Sequence, residues 1–151
     1  MKITAGNAIN LKTNLDNFAQ RQVPFALVIT KNIKKLEKIV ADFEEKKDAA
    51  LHKYAILDEA GNFIPATKED GTKYENPQTI DQIELSDRDA LVKTISELEN
   101  TEYDVDFETI DTEKLYYDSK IGEKMKVADF IDANMEPALI MYLAQFEIIA
   151  L

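Results

Sequence analysis

The sequence predicts an α+β fold, mostly helical, with a long central helix in a helical hairpin and a small antiparallel sheet. Three patterns carry this reading. Apolar residues recur in steps of four and three from Ile29 through Ile33, Leu36, Val40 and Phe43 to Ala50, Tyr54 and Leu57, the spacing of one helical face, with Lys47 as its polar break. A shorter stripe of Leu91, Ile95 and Leu98 follows Ser86-Asp87-Arg88-Asp89, where a serine hydroxyl can accept from free amides and the aspartates suit the positive end of a helix. Tyr103, Val105 and Phe107 then alternate with Glu102, Asp104, Asp106 and Glu108, the two-residue period of a half-buried strand.

Along the chain, residues 2 to 4 read as a short strand, and Ala8, Leu11, Leu15 and Phe18 mark the inner face of a first helix that Pro24 ends or restarts. The long helix is expected from Phe25 to Leu57, about 50 Å at 1.5 Å per residue, longer than a compact chain of this size needs. Part of it should project or pair with another helix. His52 lies off its apolar seam and is expected at the surface. Asp58-Glu59-Ala60-Gly61-Asn62 supplies a turn, Asp70-Gly71 a second, and the intervening stretch reads as loop or loosely specified hairpin. The helix at 86 to 99 is long enough to fold back on the long one. Leu115 to Tyr117 suggests a further strand, Gly122 a turn, Val127, Phe130 and Ile131 a short helix ending near Asn134, and Pro137 the first turn of a last helix reaching Leu151.

A length of 151 residues favours one domain, 1 to 151, able to build a core without disulfides or metal. With 45% apolar and 31% charged residues, the composition is that of a globular chain rather than a disordered or collagen-like one. Zero cysteine excludes disulfides, thiolate zinc and cysteine nucleophiles, and the single His52 leaves little for a histidine metal site or a histidine-activated serine. Only four glycines are present, and no phosphate-cradling or nucleophile-elbow motif occurs. The carboxylates of Glu102, Asp104, Asp106 and Glu108 stand about 6.5–7 Å apart along a strand, too far to converge on one cation unaided. No enzymatic activity, cofactor or metal is therefore expected. No secretory signal or apolar run of membrane-spanning length is visible.

Charge is unevenly spread. Residues 1 to 57 hold ten basic and six acidic side chains, net +4, whereas residues 58 to 151 hold eight basic and twenty-three acidic, net −15. The one basic cluster, Lys31, Lys34, Lys35 and Lys38, lies beside acids on the same helix and reads as a solvated face, so no direct nucleic-acid binding is expected. No base follows Lys126, and the last helix is apolar nearly all round. Such a helix is covered either by its own domain or by a partner. Ile140, Leu143, Phe146 and Ile149 are accordingly the candidate partner-binding residues.

The order of signals resembles a group of short proteins encoded by tailed bacteriophages and prophages. The features that carry the resemblance are the leucine-bearing first helix, Pro24, Ala26 to Asn32 running into Lys34-Lys35-Leu36-Glu37, Lys53-Tyr54-Ala55-Ile56-Leu57-Asp58-Glu59-Ala60-Gly61-Asn62, and the acidic Tyr/Val/Phe strand. It covers roughly residues 8 to 108, supplies no catalytic residue, and does not extend clearly to the tail after Lys126. It implies a phage setting: a structural or assembly protein acting through contacts with other phage proteins or with itself, in the host cytoplasm or incorporated in the virion. The alternative is an inhibitor of a host nucleic-acid-binding or defence protein, its acidic half occupying a basic groove.

Overall fold

A computed structural model describes residues 1–150. The chain is α+β: β1 (Lys2–Thr4), α1 (Ala5–Ala19), α2 (Ala26–Tyr54), α3 (Arg88–Glu99), β2 (Glu102–Asp104), β3 (Leu115–Asp118), β4 (Glu123–Lys126), α4 (Val127–Asn134) and α5 (Pro137–Ala144). Two antiparallel pairs make up the regular sheet, β1 with β2 and β3 with β4. No helix among the described residues is long and apolar enough to cross a membrane. The backbone groups into two compact units, Met1–Val40 with Glu102–Leu151, and Ala41–Thr101, and α2 contributes its first half to one and its second half to the other.

In the first unit the predicted stripe of α1 is wholly inward: Ala8, Leu11, Leu15 and Phe18 are buried. Thr4 starts the helix by accepting from the Asn7 amide at 3.2 Å. Ile29, Ile33 and Leu36 of α2 join the same core, as does Ile39, one step off the expected seam, together with Ile110, Val127, Ile131 and Met135. An aromatic series crosses this core edge to face, Phe18 to Phe25 at 6.2 Å, Phe25 to Phe130 at 5.9 Å and Phe130 to Tyr116 at 6.0 Å.

The alternating strand splits into two kinds of backbone partner. Residues 102–104 pair with β1 in the register Lys2↔Asp104, Ile3↔Tyr103 and Thr4↔Glu102, and Val105 exchanges two 2.9 Å hydrogen bonds with Met1. Beyond that the ladder stops, and Asn32 takes the place of a neighbouring strand. Its side-chain amide donates to the Glu108 carbonyl at 2.9 Å and its oxygen accepts from the Glu108 amide at 2.8 Å. Asn32 is the single fully buried polar side chain among the described residues. Replacing it with leucine keeps the volume but strands two backbone groups, so Asn32→Leu is expected to cost about 2–4 kcal/mol in denaturant unfolding.

The second unit is built on the second half of α2, where Phe43 and Ala50 are buried and Val40, Lys47, Tyr54 and Leu57 only partly so. The helix ends at Tyr54, before the expected Leu57, because Ala55 and Leu57 leave it to bridge Leu85 and Phe63. The stretch read as loop or loosely specified hairpin has no regular strand but carries further isolated antiparallel bridges, Pro65↔Ile83 and Thr67↔Lys73. Both predicted turns are present. Asp58 accepts from the Ala60 and Asn62 amides at 2.9 Å with Gly61 at φ +83°, and Asp70 accepts from Thr72 with Gly71 at φ +86°. Those Thr72 bonds hold the Asp70 carboxyl below the usual range.

Asp87, rather than Ser86, caps α3, accepting from the Ala90 amide at 3.1 Å. Ser86 instead ties the chain back to the end of α2 before α3 begins, its amide and hydroxyl both donating to the Tyr54 carbonyl, at 2.7 and 2.9 Å. Within this unit Leu91 is fully buried, and Ile95 of α3 lines the same cavity as Lys47 and Leu51 of α2.

Candidate functional site

At the C-terminus, α5 starts with Pro137 in its first turn but stops at Ala144 instead of running to 151. Glu147 takes a left-handed conformation, φ +60°, and the Ile148 amide turns back to the Leu143 carbonyl at 3.2 Å. The reversed segment is then fastened to residues 109–110: Thr109 Oγ1 donates to the Glu147 carbonyl at 2.6 Å, and the Ile110 amide to the Ile148 carbonyl at 2.8 Å. This fold-back places Leu143, Phe146 and Ile149 in the core of their own unit, with Phe146 edge-on to Phe107 and Tyr142. Ile140 is half-buried against that core, and Met141 is the exposed large apolar residue of α5. Of the four residues expected to meet a partner, three are thus already covered from within. Counting apolar residues on a straight helix overstates what is left over, because the chain does not stay helical. Leu151, the last residue of that expected helix, lies outside the described residues.

The acidic row is also partly engaged at home. Lys35 donates through its ammonium to the Asp106 carbonyl, and Lys31 stands 3.6 Å from the Glu108 carboxylate. Two lysines of the basic cluster therefore meet the strand carboxylates and backbone of the same unit. Exposed charge pairs of this kind add little stability each. Among the described residues no group of three or more His, Asp or Glu is arranged to hold a metal ion. His52 is exposed, its Nδ1 2.9 Å from the Asp48 carbonyl and its ring 5.1 Å from that of Phe63.

Three exposed large apolar residues, Leu115, Tyr117 and Ile121, lie close in sequence on the hairpin of β3 and β4. Strand alternation turns Tyr116 and Met125 inward, where Tyr116 packs on Phe130, and turns Leu115 and Tyr117 outward. Leu115 is 56% exposed, Tyr117 66% and Ile121, in the turn, 57%. Across the ladder Leu115 faces Lys126 and Tyr117 faces Lys124, so the outer face carries apolar and basic side chains in alternation. Lys114 and Lys120 flank it, which makes residues 114–126 net basic in a chain of net charge −11. Lys126 is the one lysine of this face with a carboxylate against it, Glu113 at 2.8 Å, and that hydrogen bond holds its pKa above the ordinary value. On the inner side, burial first and then Asp118 and Asp129 push the Tyr116 phenol up.

Two further features mark this hairpin. No third strand hydrogen-bonds to β3 or β4 in the described residues, so both outer edges present unpaired backbone. A groove of about 610 Å³ opens beside it, lined by Arg21, Val23, Pro24, Tyr117, Lys120 and Phe130 among others. Apolar, aromatic and cationic groups thus lie together on and beside the hairpin.

A local signal for this surface does exist in the sequence, although apolar density alone points to the last helix instead. Leu115-Tyr116-Tyr117 and Lys124-Met125-Lys126 flank Gly122 at hairpin spacing, and the alternation across both arms separates an inward from an outward face. Comparison of the chain with protein-family models, with curated proteins and with solved structures finds no match.

Proposed function

We propose that this chain is a non-enzymatic bacteriophage structural or assembly protein that works through protein contacts, in the host cytoplasm or within the virion. The phage setting rests on the sequence resemblance over residues 8 to 108. The mode of action rests on the β3–β4 hairpin, where Leu115, Tyr117 and Ile121 stand exposed among Lys120, Lys124 and Lys126 beside an open groove. Exposed tyrosine and leucine bury well against a partner, and the lysines favour one with acidic side chains at the rim.

The test is mass spectrometry of purified particles, and of assembly intermediates, from a phage carrying the chain with Leu115→Ser and Tyr117→Ser together. Both side chains are already in water, so the isolated protein should melt within about 0.5 kcal/mol of wild type. The wild-type chain should survive salt washing in the particles or intermediates, and the double variant should be lost from them. A chain absent from both fractions would overturn the proposal.

One observation favours the second reading. Residues 41–101 hold fifteen acidic and seven basic side chains, net −8, a surface suited to a basic groove of a host nucleic-acid-binding or defence protein. That reading requires binding that weakens steeply with salt and ignores the hairpin substitutions.

A further inference from the structure

The unit of residues 41–101 contains a cavity that the contact reading does not use. It measures about 380 Å³, within the roughly 300–1,000 Å³ typical of small-molecule sites. Leu51, Phe63, Pro77, Ile80, Ile83 and Ile95 form its apolar lining, and its polar lining is Lys47, Gln78 and Thr79. Lys47 is the residue that breaks the apolar seam of α2. At a seam position an apolar side chain would fill the space, and the lysine there lines apolar walls with a flexible stem that ends in an ammonium.

The surrounding charges do not answer that ammonium. Lys46, next in sequence, pairs with Asp42 at 2.9 Å, while Lys47 makes no ion pair among the described residues and lies over the Phe43 ring at 6.0 Å. Asp81 and Glu84, which flank the lining residues Ile80 and Ile83, are already held by Arg88 and Lys73. A half-buried lysine with no ion pair among the described residues, lining an apolar cavity, matches one ligand chemistry: an aliphatic body with a carboxylate at its end. We propose that this cavity binds a small aliphatic carboxylate, its chain among Leu51, Phe63, Ile83 and Ile95 and its head on the Lys47 ammonium, with the Thr79 hydroxyl as a further donor.

The probe is decanoate below its micellar concentration, with decanol as the neutral counterpart of the same chain. Methyl NMR of Leu51, Ile80, Ile83 and Ile95 should show saturable shifts with both, decanoate binding about tenfold more tightly because its head meets a charged donor. Lys47→Met keeps an apolar stem on the seam and should retain the wild-type melting temperature. It should also lose the preference for decanoate while binding decanol as before, and Lys47→Arg should keep the preference. Shifts that fail to saturate, equal binding of the two probes to the wild-type chain, or a preference that survives Lys47→Met would each overturn the assignment. None of these results depends on the hairpin or on a phage partner.

Discussion

Phe43→Ala is expected to lower the unfolding free energy by about 3–5 kcal/mol, a large share of the 5–15 kcal/mol that holds a typical domain. Phe43 is 3% exposed and sits on the seam of α2 between half-buried Val40 and Lys47. Removing its ring takes away apolar burial, leaves a void that a helix held at both ends closes poorly, and withdraws the face over which the Lys47 ammonium lies. Phe43→Leu should recover most of the loss, because it restores volume without the ring. Urea unfolding followed by circular dichroism, together with hydrogen exchange of the amides in residues 41–101, measures both variants. A melt unmoved by Phe43→Ala would show that Phe43 is not packed in a core.

What the sequence made legible follows the physical range of each signal. Helical periodicity is local and repeats many times, so the inner faces of α1, α2 and α3 could be read from Leu11, Leu15, Ile29, Leu36 and Leu91 alone, all of them fully buried. The turns at Gly61 and Gly71 were legible for a similar reason, since positive φ narrows the residue choice at one position. Boundaries were less so. The end of α2 is decided by Ala55 and Leu57 bridging residues some 30 positions away at one side and by a nearby turn at the other, and no window of local sequence contains the first of these.

Asn32 was invisible for the same reason. An asparagine within a lysine-flanked helix reads as surface, and only the distant backbone of Glu108 gives it a buried role. The candidate site shows the limit from the other side. Apolar density pointed to the last helix, yet density does not say which residues the chain itself will cover. The fold-back at Glu147 covers Leu143, Phe146 and Ile149, while Leu115, Tyr117 and Ile121 of the β3–β4 hairpin stay exposed.

That difference can be measured at Leu143. Leu143→Ser removes a fully buried side chain and puts a hydroxyl among Leu, Ile and Phe side chains, so the expected loss is about 3–6 kcal/mol, the cavity cost of a large-to-small change plus an unsatisfied polar group. The same substitution at half-buried Ile140 should cost about 1 kcal/mol, since part of its surface is already in water. Neither should alter sedimentation while the protein remains folded, because Leu143 is covered within its own unit and Ile140 is half-buried against the same core. If the hairpin is the contact surface proposed above, Tyr117→Ser should reverse the pattern, with melting held and association lost. Thermal melts and sedimentation on the three variants therefore separate core from contact surface. A Leu143→Ser protein that melted like the wild type but no longer associated would return the partner surface to α5 and remove the hairpin from that role.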